Sequence, residues 1–137
     1  MAALRFGARL ADRDPSTALT VVTIGIDGNI PFPRVPIASD RSDDTLRARR
    51  VMESAARLLG RRGIHADLHV VSARSSEPIP EAIAREADRM KADMVIVGSE
   101  GRDTLREWVV GGVALRLIYV ARRPVAVVRP PRQRKKA

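Results

Sequence analysis

The chain has 137 residues, no cysteine, and an aromatic content of only 3%. Without cysteine there are no disulfides and no thiolate metal sites, which suits a reducing cytoplasm. With so few rings, the core must be built from Val, Ile, Leu and Ala, and the stacking platforms of a single-strand nucleic-acid binder are missing. No apolar run approaches the ~20 residues of a membrane span. The opening MAALRFGARLADRD carries Arg5 and Arg9 and lacks the apolar centre of a signal peptide. These absences point to a soluble cytoplasmic protein, and the length suits one domain around one core.

Charge is present in excess of one sign. The formal net charge is +9, but residues 129–137, RPPRQRKKA, hold five of the positive charges (Arg129, Arg132, Arg134, Lys135, Lys136) and no acid. That stretch reads as a basic, disordered tail on a domain spanning 1–128. Such a tail also offers sequence-independent contact with a phosphate backbone, so nucleic-acid association stands as a lesser alternative.

The rest of the chain alternates helices with apolar strands. Ala3, Leu4, Phe6, Ala8, Leu10 and Ala11 mark a helix over 2–11, broken at Pro15-Ser16. ALTVVTIGI (18–26) is β-branched and reads as a strand. Residues 28–41 carry three prolines and read as an irregular connection. Leu46, Ala48, Val51, Met52, Ala55, Leu58 and Leu59 have helical spacing, with Ser42 as N-cap and Gly60 and Gly63 at the end. ADLHVVSA (66–73) is a second strand. Pro80 opens a helix whose stripe is Ile79, Ile83, Ala84, Ala87 and Met90, and DMVIVG (93–98) is a third strand. Val110, Val113, Ala114, Leu117, Ile118 and Ala121 describe a last amphipathic helix, ended by Arg122-Arg123-Pro124 before the strand PVAVV. The alternation predicts an α/β fold, an open and mainly parallel sheet with helices on both faces.

Glycines punctuate one strand–helix junction. Gly98 and Gly101 lie just beyond a strand's carboxyl end, where open α/β sheets bind ligands. Gly111 and Gly112 lie at the start of the next helix, where free amides and the helix dipole favour an anion. Two readings fit: a phosphate cradle, or glycines serving only turns and helix packing. The spacing matches neither the dinucleotide nor the Walker loop. Elsewhere the chemistry is thin. His65 and His69 are too far apart to chelate, Glu77, Glu81 and Glu86 read as helix-start and solvent charges, and Trp108 reads as an anchor for the last helix. No nucleophile–base set or carboxylate pair stands out, so nothing argues for an enzyme.

GSEGRDTLREWVVGG resembles the G-x2-G-x9-G-[ST] signature of the universal stress protein family, with Gly98, Gly101 and Gly111 on the glycines. VALRLIYVARRPVAVVRP and PEAIAREADRMKADMVIVG on either side resemble the family as well, and the order of elements agrees back to about residue 2. The resemblance implies a stress-response or regulatory module that binds ATP or AMP. Carried over by position, the contacts fall on Gly98, Ser99, Gly101, Arg102, Gly111 and Gly112. It also implies a homodimer through the edge strand Pro124–Val128, and the alternative is a dimeric interaction module that binds no nucleotide.

Two departures stand out. Gly112 replaces the family's Ser or Thr and removes a hydroxyl donor. The family also begins with a strand whose end supplies an adenine-holding aspartate, whereas this chain begins at the helix expected after it. Asp27 follows a different strand and is not given that role. In the family's sheet the absent strand lies between those matching 19–26 and 94–98, and its loss predicts a gap of roughly 10 Å. The two strands close up, another segment fills the gap, or the coding start lies upstream; the last is the expectation, with an in-frame strand and Asp-containing turn before Met1.

Overall fold

The computed structural model describes residues 1–25, 30–31, 43–74, 76–99 and 110–131. In chain order these form α1 (Ala2–Arg13), β1 (Leu19–Gly25), β2 (Ile30–Pro31), α2 (Asp43–Gly60), β3 (Ala66–Ser72), α3 (Ile79–Arg89), β4 (Val95–Gly98), α4 (Gly112–Val120) and β5 (Val125–Val128). Each expected helix and strand is present, with ends that shift by no more than two residues. One addition is β2, within the stretch expected to be irregular: two residues that pair antiparallel with His69 and Val70. Ser42, the expected N-cap of α2, lies outside the described residues.

Local chemistry accounts for the boundaries. After α1, Asp14 Oδ1 accepts from the Ser16 amide at 2.9 Å and its hydroxyl at 2.6 Å, a side-chain turn that competes with further helix. After α2, Gly63 adopts φ +65, and the Ile64 amide returns to Leu59 O at 3.1 Å. After α3 the left-handed position falls on Lys91 (φ 54), and the Ala92 amide donates to Ala87 O at 2.9 Å. No glycine announces that helix end in the sequence.

The strands form two parallel pairs in separate sheets. β1 pairs with β3 from Leu19↔Ala66 to Gly25↔Ser72, and β4 pairs with β5 from Val95↔Val125 to Gly98↔Val128. Sheet order is β1-β3-β2 and β4-β5, so β1 and β4 share no ladder. Helix α1 packs on β1, β4 and β5; α2 covers β1 and β3; α3 touches β1 and β3; α4 packs on α3 and β5. The division falls where the sequence predicts a missing strand. Among the described residues the two strands have not closed up, and no other strand stands between them.

Alanine dominates the buried apolar set: Ala8, Ala48, Ala55, Ala82, Ala84, Ala87 and Ala114 line it, and Met52 and Leu117 are its largest fully buried members. Met52 packs with Ala48 and Val70 beside Val21 and Leu68, where α2 lies on the β1–β3 pair. Small side chains let the helices approach the sheets closely, which is how a core nearly without rings is filled. The expected stripe of α3 holds at Ala84 and Ala87 and fails at Ile79. Pro80, Ala82, Ala84, Glu86 and Ala87 are its buried residues, whereas Ile79 is exposed.

The three glutamates of this helix region are not mere solvent charges. Arg85 grips Glu77 with two bonds of 2.9 and 3.0 Å and donates to Ser72 O at 3.1 Å, while the Arg74 amide donates to Glu77 at 2.8 Å. This ties the end of β3 to α3. Glu86 is 4% exposed and held by Arg89. Arg116 reaches Glu81 at 2.6 and 2.9 Å and Arg123 reaches Asp88 at 3.0 Å, two ion pairs that fasten the α4 region to α3. Hydrogen bonds from Arg85 and the Arg74 amide bring the Glu77 carboxyl down to about 2 from its ordinary 4.5. A depressed carboxyl stabilises the fold above its unfolded value and ceases to as pH falls through the folded one. Melting temperature should therefore drop as pH falls from 4.5 towards 2. Glu77→Gln should be less stable near neutrality and show a flatter acid limb in thermal melts.

Candidate functional site

The junction between β4 and α4 is held by two backbone bonds. The Ser99 amide donates to Val128 O at 2.9 Å, extending the β4–β5 ladder by one step, and Ser99 O accepts from the Gly111 amide at 2.6 Å. The connection between these points thus leaves and returns at one place, the carboxyl end of the β4–β5 pair. Ser99 is only 6% exposed there. The structure brings Gly98, Ser99, Gly111 and Gly112 together at this spot. Gly101, Arg102 and Trp108 lie outside the described residues, as does Asp27.

Gly111 is the N-cap of α4 (φ −57, ψ 149), no side chain caps the helix, and no acidic residue sits in its first turn. The first bond of the helix runs from the Leu115 amide to Gly111 O at 3.0 Å. The amides of Gly112 and Val113 precede that bond and have no acceptor within the helix. They present donors and the positive end of the helix dipole at the carboxyl end of β4.

Among the described residues, a Cβ built on Gly98 or on Gly112 meets no atom within 4 Å, and neither glycine has a left-handed backbone. Packing against the described residues does not require glycine at either position, and the local backbone conformation does not either.

One residue at this end went unassigned in the sequence. Arg129 was counted with the basic tail, yet it directly follows Val128, whose carbonyl binds Ser99. It is exposed and supplies positive charge at the same end of the β4–β5 pair. Its position immediately after the last apolar strand is the signal that would have found it. Among the described residues no group of His, Asp and Glu is arranged to hold a metal, and no helix is long and apolar enough to cross a membrane.

Comparison with known proteins adds a family. A search of curated protein sequences finds no match. Among solved structures, a universal stress protein from Archaeoglobus fulgidus in complex with dAMP is 24% identical, with TM-score 0.67 over 93% of this chain and 85% of that one. A second structure of a universal stress protein from Archaeoglobus fulgidus is 24% identical, with TM-score 0.65 over 92% and 81%. A universal stress family protein from Burkholderia pseudomallei is 21% identical, with TM-score 0.55 over 92% and 83%. At these identities the structures attest the α/β fold alone. The sequence itself matches the universal stress protein family over residues 1–129, nearly its whole length. The chain belongs to the universal stress protein family.

Proposed function

We propose that this chain is a regulatory module that binds an adenine nucleotide, ATP or AMP, without turning it over. Phosphate oxygens would lie against the amides of Gly112 and Val113, with the approach left open at Gly98 and Gly112 and with Arg129 as a nearby counter-charge. By family resemblance Ser99, Gly101, Arg102 and Gly111 complete the contacts. The observation that carries the reading is that, among the described residues, nothing lies within 4 Å of a Cβ on Gly98 or Gly112. A family structure containing dAMP supports the choice of adenine nucleotide.

Titration calorimetry with ATP and AMP tests the proposal. Gly112→Ser has room for its side chain and restores the family's hydroxyl. One added hydrogen bond of about 1 kcal/mol should tighten binding roughly fivefold. No heat with either nucleotide at millimolar concentration, on wild type and variant alike, would remove the reading.

A second reading, a dimeric interaction module, has its own support. Val95 N–H donates to Pro124 O at 2.8 Å and Ser99 N–H to Val128 O at 2.9 Å, so alternate residues of β5 face β4. Val125 and Val127 therefore turn their backbone groups outward, along an edge with no partner among the described residues. On the adjoining α4, Leu115, Ile118 and Tyr119 are exposed, Tyr119 at 79%. Two copies pairing antiparallel along β5 would satisfy the edge and cover apolar surface by two-fold symmetry. Val127→Pro removes an outward donor without breaking a β4 bond, so it should shift a sedimenting dimer to monomer. A wild-type monomer at high concentration would refute the dimer.

A further inference from the structure

Among the described residues, ion pairs concentrate on one side of the molecule. Glu77, Glu81, Glu86 and Asp88, on α3 or just before it, are each held by an arginine. On α1 and α2 the one ion pair among the described residues is Arg49–Glu53. Exposed arginines run along both of these helices. Arg5, Arg9 and Arg13 recur every fourth residue on α1, and Arg47, Arg50 and Arg57 share one stripe of α2. The Arg61 amide still donates to Arg57 O at 3.2 Å, so that stripe continues past the helix end. Its length is about 20 Å. Against these arginines stand Asp12 on α1, and Asp43 and Asp44 at the start of α2, where the helix dipole favours acids. The two helices cover the same face of β1. Met52 of α2 packs beside Val21, and a Cβ on Gly7 of α1 would lie 3.1 Å from Leu19 Cδ1. Leu19 and Val21 are two apart on one strand and point the same way. Glu86 of α3 lies near His69, which alternates with Leu68 and Val70 beneath α2, so α3 is on the opposite face.

We propose that the outer surface of α1 and α2 is a docking face for an anionic lipid bilayer, bound peripherally. The charge complementarity is that of guanidinium forks meeting headgroup phosphates, with which arginine forms paired bonds that lysine does not. What selects a bilayer over a nucleic-acid backbone is the apolar company of the arginines. Leu46 is 41% and Val51 43% exposed. Leu46 lies one turn before Arg50, and Val51 one turn after Arg47. A phosphate backbone has no use for such side chains, whereas the boundary between headgroups and acyl chains takes them up beside the charges. The single ring on these two helices, Phe6, is half-buried with the Arg9 guanidinium over it, 5.9 Å from its centroid. It is not an open platform on which a base could stack. This goes beyond the nucleotide reading and does not depend on it.

The full 137-residue chain should sediment with vesicles of phosphatidylcholine containing about one-third phosphatidylserine, and not with phosphatidylcholine alone. Added salt should release it. Arg50→Gln combined with Arg57→Gln removes two exposed charges from the stripe and should weaken vesicle binding about thirtyfold, with the melting temperature nearly unchanged. Because the chain has no cysteine, single introduced cysteines report orientation. An environment-sensitive dye on Val51→Cys should brighten and shift to the blue on the anionic vesicles. The same dye on Ile79→Cys, exposed on α3, should not respond. Failure to sediment with the anionic vesicles overturns the proposal, as does equal binding by the double variant. A silent dye at residue 51 also overturns it, whether the contact proves to lie at residue 79 or on the tail, where Lys135→Gln with Lys136→Gln would release the vesicles. If a short DNA duplex displaces the vesicles at equal phosphate concentration, the partner is a nucleic acid and the proposal falls.

Discussion

Gly98→Val is expected to leave the fold intact and to abolish measurable binding of ATP and AMP. Among the described residues a Cβ at this position meets nothing within 4 Å, and valine suits a strand better than glycine. Melting temperature should therefore stay level or rise. The branched side chain would stand where phosphate has to approach backbone. Loss of two charge-assisted bonds of about 1.5 kcal/mol each would weaken binding by at least about a hundredfold. Gly101→Val should act in the same direction through the same connection. Calorimetry on the folded variant decides the matter, and an affinity equal to wild type would show that the strand end is not the site.

Met52→Ala is expected to have the largest effect on stability. The side chain is fully buried between α2 and the β1–β3 pair, and its neighbours are already small, so few groups can collapse into the space left behind. The cost should be about 2–5 kcal/mol, a large share of the ~5–15 kcal/mol that holds a domain together. Leu117→Ala should behave alike at the α4 face of the core. Tyr119→Ala, at a position 79% exposed, should change stability by no more than about 0.5 kcal/mol. Urea unfolding of the three variants checks the order. A Met52→Ala cost under about 1 kcal/mol would mean that the core is not packed around this residue.

Much of the architecture could be read from periodicity, because β-branched runs and helical spacing act locally. The run 18–26 and the stripe from Leu46 to Leu59 needed no knowledge of their neighbours. The missing ladder between β1 and β4 was also foreseeable, from the resemblance to a family that starts one strand earlier. What failed depended on side-chain partners that periodicity does not reveal. Ile79 carried the expected stripe of α3, yet the helix turns Pro80 and Glu86 inward, since Arg89 supplies the partner that lets a carboxylate be buried. Glu77 and Glu81 looked like solvent charges because their partners, Arg85 and Arg116, lie eight and thirty-five residues further on. At the candidate site, the glycine spacing marked the place, but only the three-dimensional surroundings of Gly98 and Gly112 could distinguish a packing glycine from an open one. Arg129 was overlooked because composition assigned it to the tail.

The division of the strands also bears on how this protein comes apart. In a continuous sheet, backbone bonds carry cooperativity from one side to the other. Among the described residues that route is interrupted, and the β1–β3 half communicates with the β4–β5 half through α1, through the packing of α4 on α3 and through the ion pairs Glu81–Arg116 and Asp88–Arg123. Salt screens such pairs, whereas it spares ladder bonds. The β4–α4–β5 unit, which includes the candidate nucleotide site, is thus positioned to open as a foldon of its own below the global unfolding free energy. Raising the salt would loosen this side of the domain a little, while the packing of α4 on α3 keeps it in place.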